Sequence, residues 1–162
     1  MLKGRQILAL SYFLYTFELS LTSTQPTPRM LVMGEGGTGK SEIIKAVSLY
    51  FSRTNRMNCL RLTAPTGTAA SNILGTTIHG LLYLMNASQN FSKIQYSLEN
   101  VTCIVIDECG FLGLDTLCKI DATLRQISSP DVPFGGFNML LLGGFYQLRP
   151  VMSLPLYAST PK

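Results

Sequence analysis

Residues 30–47 read MLVMGEGGTGKSEIIKAV, and this stretch decides the fold. Met30, Leu31, Val32 and Met33 make a short apolar run suited to a buried strand. Gly34, Glu35, Gly36, Gly37, Thr38, Gly39, Lys40 and Ser41 then match G-x-x-x-x-G-K-[ST] at every position. Beyond them Ile43, Ile44, Val47 and Phe51 recur at helical spacing, which predicts a helix over 40–53. Strand, glycine-rich turn and helix in that order form a loop for the phosphates of ATP. Glycines let backbone N–H groups curl around the β-phosphate, the helix N-terminus adds partial positive charge, and Lys40 neutralises β and γ oxygens. The Ser41 hydroxyl would hold Mg²⁺.

VTCIVIDE at 101–108 is an apolar strand that ends in two acids. In an open parallel sheet ligands bind at the carboxyl ends of strands, so Asp107 and Glu108 are expected beside the phosphates. Asp107 would bind Mg²⁺ through water, and Glu108 would polarise the attacking water as general base. Further strands are expected at 58–64 (NCLRLTA) and at NMLLLGG, 138–144. Helices are expected over 3–19, around Ser71, over 78–85 and over 114–127, with 65–70 as a loop and the polar segment 86–100 as an irregular insertion. Apolar strands alternating with helices predict an α/β fold, a mostly parallel sheet covered by helices on both faces.

Composition narrows the class. The chain has 162 residues, enough for one domain and short for two. Charged residues make up 14%, against roughly 25% in ordinary soluble domains, so part of the surface is apolar. The net charge of +4 suits a polyanion partner, although no lysine or arginine run marks a tail. Cys59, Cys103, Cys109 and Cys118 contain no C-x-x-C pair and share the chain with one histidine, which argues against zinc and for reduced thiols. Lys3 and Arg5 precede an apolar run, as in a secretory signal, but no A-x-A-like site follows and Glu18 interrupts. A packed helix is the expectation, with no membrane partner.

Two longer stretches carry a resemblance. LTAPTGTAASNILGTTIHG at 62–80 and PFGGFNMLLLGGFYQLRPV at 133–151, with the acidic strand between them, are similar to DNA helicases of the petite integration frequency (Pif) type, in superfamily one, above all the fungal and Helitron-like branch. The resemblance covers residues 4–151 and implies the P-loop NTPase, RecA-like fold. Residues 1–28 would be a helix and loop leading into the core, 29–151 the ATP-binding domain and 152–162 a tail. It implies ATP-dependent 5′-to-3′ unwinding of DNA in repair, recombination and telomere maintenance, in the nucleus or mitochondrion.

Physically, Pro65, Thr66, Gly67, Thr68 and Ala69 offer small side chains, hydroxyls and N–H groups able to grip a sugar-phosphate backbone without reading bases. In the family this loop touches single-stranded DNA, and His79 lies near the DNA path. Gln147 matches the glutamine that senses the γ-phosphate and would join Lys40 and Glu108 in catalysis. Gln6 falls where the family places an adenine-contacting glutamine.

Departures accompany the match. The family carries an acid where this chain has Gly144 and a proline where it has Arg149, and the acidic motif continues as Cys109, Gly110, Phe111 instead of a small apolar residue, Ser and Met. An aspartate at 144 is expected to tighten the turn. Superfamily-one helicases hydrolyse ATP between two RecA-like domains, the second supplying arginine fingers. These residues are expected to be the first half of such a motor, with that second domain as the missing partner. An ATP- and single-stranded-DNA-binding fragment without catalysis is the alternative. A small-molecule kinase fits less well, because the 62–80 stretch has no role in one.

Overall fold

Among the described residues five strands lie parallel and side by side: β1 (Arg29–Met33), β2 (Leu60–Ala64), β3 (Thr76–Thr77), β4 (Cys103–Ile106) and β5 (Asn138–Gly143). Their order across the sheet is β1-β5-β4-β2-β3, so the last strand in sequence is inserted between the first and the fourth. The register pairs Val32 with Leu142, Ile104 with Met139 and Leu62 with Val105. This computed structural model describes residues 2–22, 26–35, 37–84, 90–144 and 153–158.

Alternation along the central strands builds two cores. Cys103, Val105, Leu140 and Leu142 point to one face, against α1 (Gly4–Thr22), α2 (Lys40–Arg53) and α3 (Gly67–Asn72). Ile104, Ile106, Met139 and Leu141 point to the other, against α4 (Ile78–Leu81), α5 (Phe91–Ser97) and α6 (Leu114–Ile127). Successive side chains of a strand face opposite ways, so strands apolar at every position require cover on both sides. β4 and β5 are buried throughout, whereas β1 at the edge is alternately exposed, with Leu31 and Met33 about half open.

α1 buries Phe13 and Phe17, one turn apart, and the Phe17 ring lies 5.0 Å from that of Phe51 on α2. Glu18, the acid that breaks the apolar run, accepts the Tyr50 hydroxyl and the Arg56 Nη2 (2.5 Å), while the Arg56 guanidinium stands 5.4 Å over the Tyr50 ring. Through Tyr50 this ion pair ties α1 to α2. The opposite side of α1, with Leu8, Tyr12 and Tyr15, is exposed, because this helix covers the sheet on one side only. Among the described residues no helix is long and apolar enough to cross a membrane.

Two expectations are corrected. The segment 86–100 is not irregular throughout: Asn90 caps α5 by accepting the Lys93 N–H (3.0 Å), and Ile94 is fully buried. The stretch 65–70 is a loop for only two residues, because the Thr66 hydroxyl accepts the Ala69 N–H (3.2 Å) and starts α3 at Gly67. In both, a polar side chain suited to a helix cap stands in a stretch whose composition suggests a loop.

Candidate nucleotide-binding site

Because all five strands run the same way, their carboxyl ends share one rim, and the phosphate loop, the acidic pair and the end of β5 meet there. The loop leaves β1 at Gly34, whose N–H donates to the Gly143 carbonyl (2.9 Å). Gly37 (φ 75°) and Gly39 (φ 82°) adopt left-handed backbone that side chains disfavour, which is why glycines stand at both positions. Thr38 turns its hydroxyl back to the Glu35 carbonyl (2.7 Å). Lys40 opens α2 and folds its ammonium over the loop, donating to the carbonyls of Gly34 (2.6 Å) and Glu35 (2.7 Å). Ser41 follows on the exposed side of the same turn. Gly36 and Gln147 lie outside the described residues, as do Arg149 and the rest of 145–152.

A cavity of about 570 Å³ adjoins the loop, walled by Ala9, Val32, Met33 and Ile43 with Gln6 and Lys40 beside them. Gln6 spans α1 and the loop: its Oε1 accepts the Lys3 N–H (2.7 Å) and its Nε2 donates to the Thr38 carbonyl (2.5 Å). The amide rests against Gly39, where an added Cβ would meet Nε2 at 2.4 Å. Gln6 is therefore a strut between α1 and the phosphate loop, and its amide can offer a base a further lone pair and N–H hydrogen beyond those used among the described residues.

Asp107 follows β4, its N–H bonded to the Thr63 carbonyl (2.8 Å) and its Oδ1 accepting the Glu108 N–H (2.9 Å). The residue is 8% exposed. Burial pushes the Asp107 carboxyl above the usual carboxylate range, opposed by the Glu108 N–H and the Lys40 charge. Glu108, in left-handed backbone at φ 51°, is also raised, first by burial and then by the Asp107 charge, with Lys40 again opposing. A positive group near two acids held toward protonation is an arrangement that a divalent cation relieves. The Ser41 hydroxyl and the two carboxylates are hard oxygen donors suited to Mg²⁺. Among the described residues no group of three or more His, Cys, Asp or Glu side chains could hold a metal ion, so Mg²⁺ would rely on phosphate and water for the rest of its shell. Cys109, buried behind the acids, has its thiol pushed up to about 11 by burial and stays a neutral packing group.

On the same rim, Pro65 and Thr66 follow β2, and Thr66, Gly67 and Thr68 are exposed while the Ala69 side chain is buried. His79 is the second residue of α4, half-buried, in a helix that Thr77 caps by accepting the Gly80 N–H (3.1 Å). Missed from the sequence are the Gly143 carbonyl, the Lys3 amide and the contact at Gly144. A Cβ at Gly144 would lie 2.7 Å from the Gly34 carbonyl oxygen, so the end of β5 and the start of the phosphate loop meet backbone to backbone. PFGG is also resolved: Phe134, Gly135 and Gly136 all have positive φ, and Asp121 accepts the Phe134 N–H (2.5 Å). The motif is a left-handed turn locked onto α6, leading into the amino end of β5, away from the nucleotide rim.

A family model described as PIF1-like helicase matches residues 19–159. The ATP-dependent DNA helicase PIF1 of Saccharomyces cerevisiae (strain YJM789) is 36% identical over 136 residues, covering 75% of this chain and 15% of that protein. The ATP-dependent DNA helicase PIF1 of Homo sapiens is 30% identical over 127 residues, covering 73% and 19%. Among solved structures, Pif1 helicase from Candida albicans superposes with a TM-score of 0.74 at 23% identity, covering 94% of this chain and 34% of that one. Bacteroides Pif1 in complex with ADP-AlF3 and ssDNA gives 0.75 at 24% identity, with the same coverage. The chain thus spans less than a fifth of these two curated relatives and about a third of these solved chains.

Proposed function

We propose that this chain, which belongs to the PIF1-like helicase family, is the nucleotide-binding and single-strand-contacting half of an ATP-driven DNA helicase. Family membership implies nucleotide binding and an ATP-dependent helicase as the parent activity. The observation that carries the proposal for these residues is the convergence of three charges. The Lys40 ammonium folds over the Gly34 and Glu35 carbonyls, and Asp107 and Glu108 follow β4 at the same carboxyl rim of the parallel sheet.

In this proposal residues 29–151 are the RecA-like unit and α1 brings Gln6 to the base. The loop amides and Lys40 take the β and γ phosphates, exchanging the Gly34 and Glu35 carbonyls for phosphate oxygens. Ser41, and Asp107 through water, would hold Mg²⁺, which would supply positive charge against the phosphates. Glu108 orients and deprotonates the attacking water, and its raised pKa brings it nearer to the operating pH of a general base. Gln147 reports the γ-phosphate to the rest of the motor. Pro65, Thr66, Gly67 and Thr68 with His79 contact the sugar-phosphate backbone of single-stranded DNA. The Bacteroides relative was solved with ADP-AlF3 and ssDNA together, which supports the pairing of these two ligands. A nuclear setting belongs to the same proposal.

Binding of Mg·ATP and of a fluorescent oligo-dT by the purified chain tests it. Glu108→Gln is expected to keep ATP affinity while abolishing whatever hydrolysis the chain shows, and oligo-dT affinity is expected to fall with added salt as phosphate contacts release counterions. A chain that binds ATP but ignores oligo-dT at low salt contradicts the helicase assignment.

A further inference from the structure

We infer that α5 extends the single-strand contact, with Tyr96 stacking on a base and Lys93 taking a neighbouring phosphate; this rests on the reading of Thr66, Thr68 and His79 as contacts to single-stranded DNA. No aspartate or glutamate stands anywhere from Ile43 to Leu98, a stretch that carries Lys45, Arg53, Arg56, Arg61 and Lys93. Several of these cations are engaged within the fold. Lys45 pairs with Glu42 (2.8 Å), Arg56 pairs with Glu18 (2.5 Å), and Arg61 donates to the carbonyls of Asn58, Leu60 and Ser97. Lys93 is exposed, and its ammonium lies 5.3 Å from the centroid of the Tyr83 ring, where the others meet carboxylates or carbonyls. The ring steadies the ammonium without neutralising it, so the full charge remains for an anion.

Contacts lead from the loop after β2 to this helix. β3 pairs Thr77 with Ala64, which sets the start of α4 beside Pro65 and Thr66. The Leu84 N–H donates to the His79 carbonyl (3.1 Å) and closes a turn with Tyr83 in left-handed backbone, φ 50°, a conformation that a bulky aromatic rarely adopts. Tyr83 in turn meets Lys93 in the first turn of α5. Tyr96 stands three residues further on, so the two side chains are neighbours on the helix surface, while the buried Ile94 anchors the opposite face. Tyr96 is 81% exposed, and the next acid, Glu99, comes after α5 has ended. An open ring beside an uncompensated ammonium meets both demands of a nucleotide, a surface for the base and a charge for the phosphate. Every base has a stacking face, so the site takes single strands of any sequence.

Fluorescence anisotropy of the purified chain with labelled oligo-dT, and with an abasic strand of the same length, is the test. Tyr96→Ala should lower oligo-dT affinity about tenfold with an unchanged salt slope, and should bind the abasic strand as the parent does. Lys93→Ala should weaken both strands and reduce the salt slope by about 0.7, the value of one single-strand phosphate contact. Tyr96→Phe and Lys93→Arg should keep parental binding, and all four variants should melt close to the parent, since both side chains are exposed. Parental oligo-dT affinity in either alanine variant overturns the inference, as does an equal loss on the abasic strand in Tyr96→Ala. If an alanine variant does not fold, the parent decides: a bromodeoxyuridine strand should photo-crosslink to Tyr96, and crosslinks found only outside α5 overturn the inference. A parent that binds ATP but ignores oligo-dT at low salt overturns the single-strand reading itself, and the α5 contact falls with it.

Discussion

Lys40→Ala separates the two jobs that the lysine holds. In the structure its ammonium donates to two loop carbonyls, at 2.6 and 2.7 Å, at a partly exposed site. A net hydrogen bond contributes about 0.5–1.5 kcal/mol and solvent access weakens it, so both together stabilise the ligand-free chain by about 1 kcal/mol. Unfolding entropy of about 2.1 cal/mol/K per residue gives roughly 0.3 kcal/mol/K for 162 residues, so the variant should melt about 3 °C lower without nucleotide. The ligand effect is larger. ATP at 100 times its dissociation constant adds about 2.7 kcal/mol, or about 8 °C by the same conversion, and the variant should lose most of this shift because the ammonium is the full positive charge that the loop's described residues bring to the β and γ oxygens. Differential scanning fluorimetry with and without Mg·ATP reads both numbers. An ATP-dependent shift of equal size in parent and variant would refute the assignment of Lys40 to phosphate. A nucleotide-free loss far above 3 °C would show that the lysine holds the fold and not only the loop.

Asp107→Asn tests the electrostatics of the acidic pair. Burial raises the Asp107 carboxyl above its usual 3.8, so the folded chain keeps that proton longer than the unfolded chain does, and between the two values stability falls as pH rises. Parent and variant should melt together below about pH 4, with the variant more stable near neutrality; a parent that is the more stable of the two at pH 7 in thermal melts contradicts the sign. Gly135→Ala should cost roughly 2 kcal/mol or more in urea unfolding, since φ is 62° and the new Cβ would meet the Leu124 carbonyl oxygen at 2.2 Å. A variant that unfolds at the parental urea midpoint would show that the left-handed turn has slack.

Much of the fold was legible because local signals and burial agree. The phosphate loop announced its own strand and helix, and α2 spans 40–53 and α6 spans 114–127, as their apolar spacing predicts. Strand order was not legible. Nothing in NMLLLGG says that it inserts between β1 and β4, and that insertion alone brings Gly143 and Gly144 against Gly34. Gly144 reads in the sequence as a missing acid, because sequence shows which side chain is absent and not that Gly34 lies beside it. Glu18 was read as an interruption for the same reason, since its partners Tyr50 and Arg56 lie more than thirty residues away. Asn90 and Thr66 were hidden differently: their residue types serve loops and helix caps equally well, and only a buried Ile94 or Ala69 nearby distinguishes the two.

The alternation of β4 and β5 between two cores has a thermodynamic consequence. Damage on one face should sum with damage on the other. Phe17 and Leu124 are both fully buried, yet one belongs to the cluster over α1 and α2 and the other to the cluster around α6, and those clusters share no buried residue. Truncations of the pair should show coupling of no more than about 0.3–0.5 kcal/mol in a double-mutant cycle, whereas Phe17 with its ring neighbour Phe51 should couple well above that. Drift in the packing beneath the 78–81 helix can then proceed with little effect on the helix that carries Lys40, leaving the two working faces of the sheet free to change at separate rates.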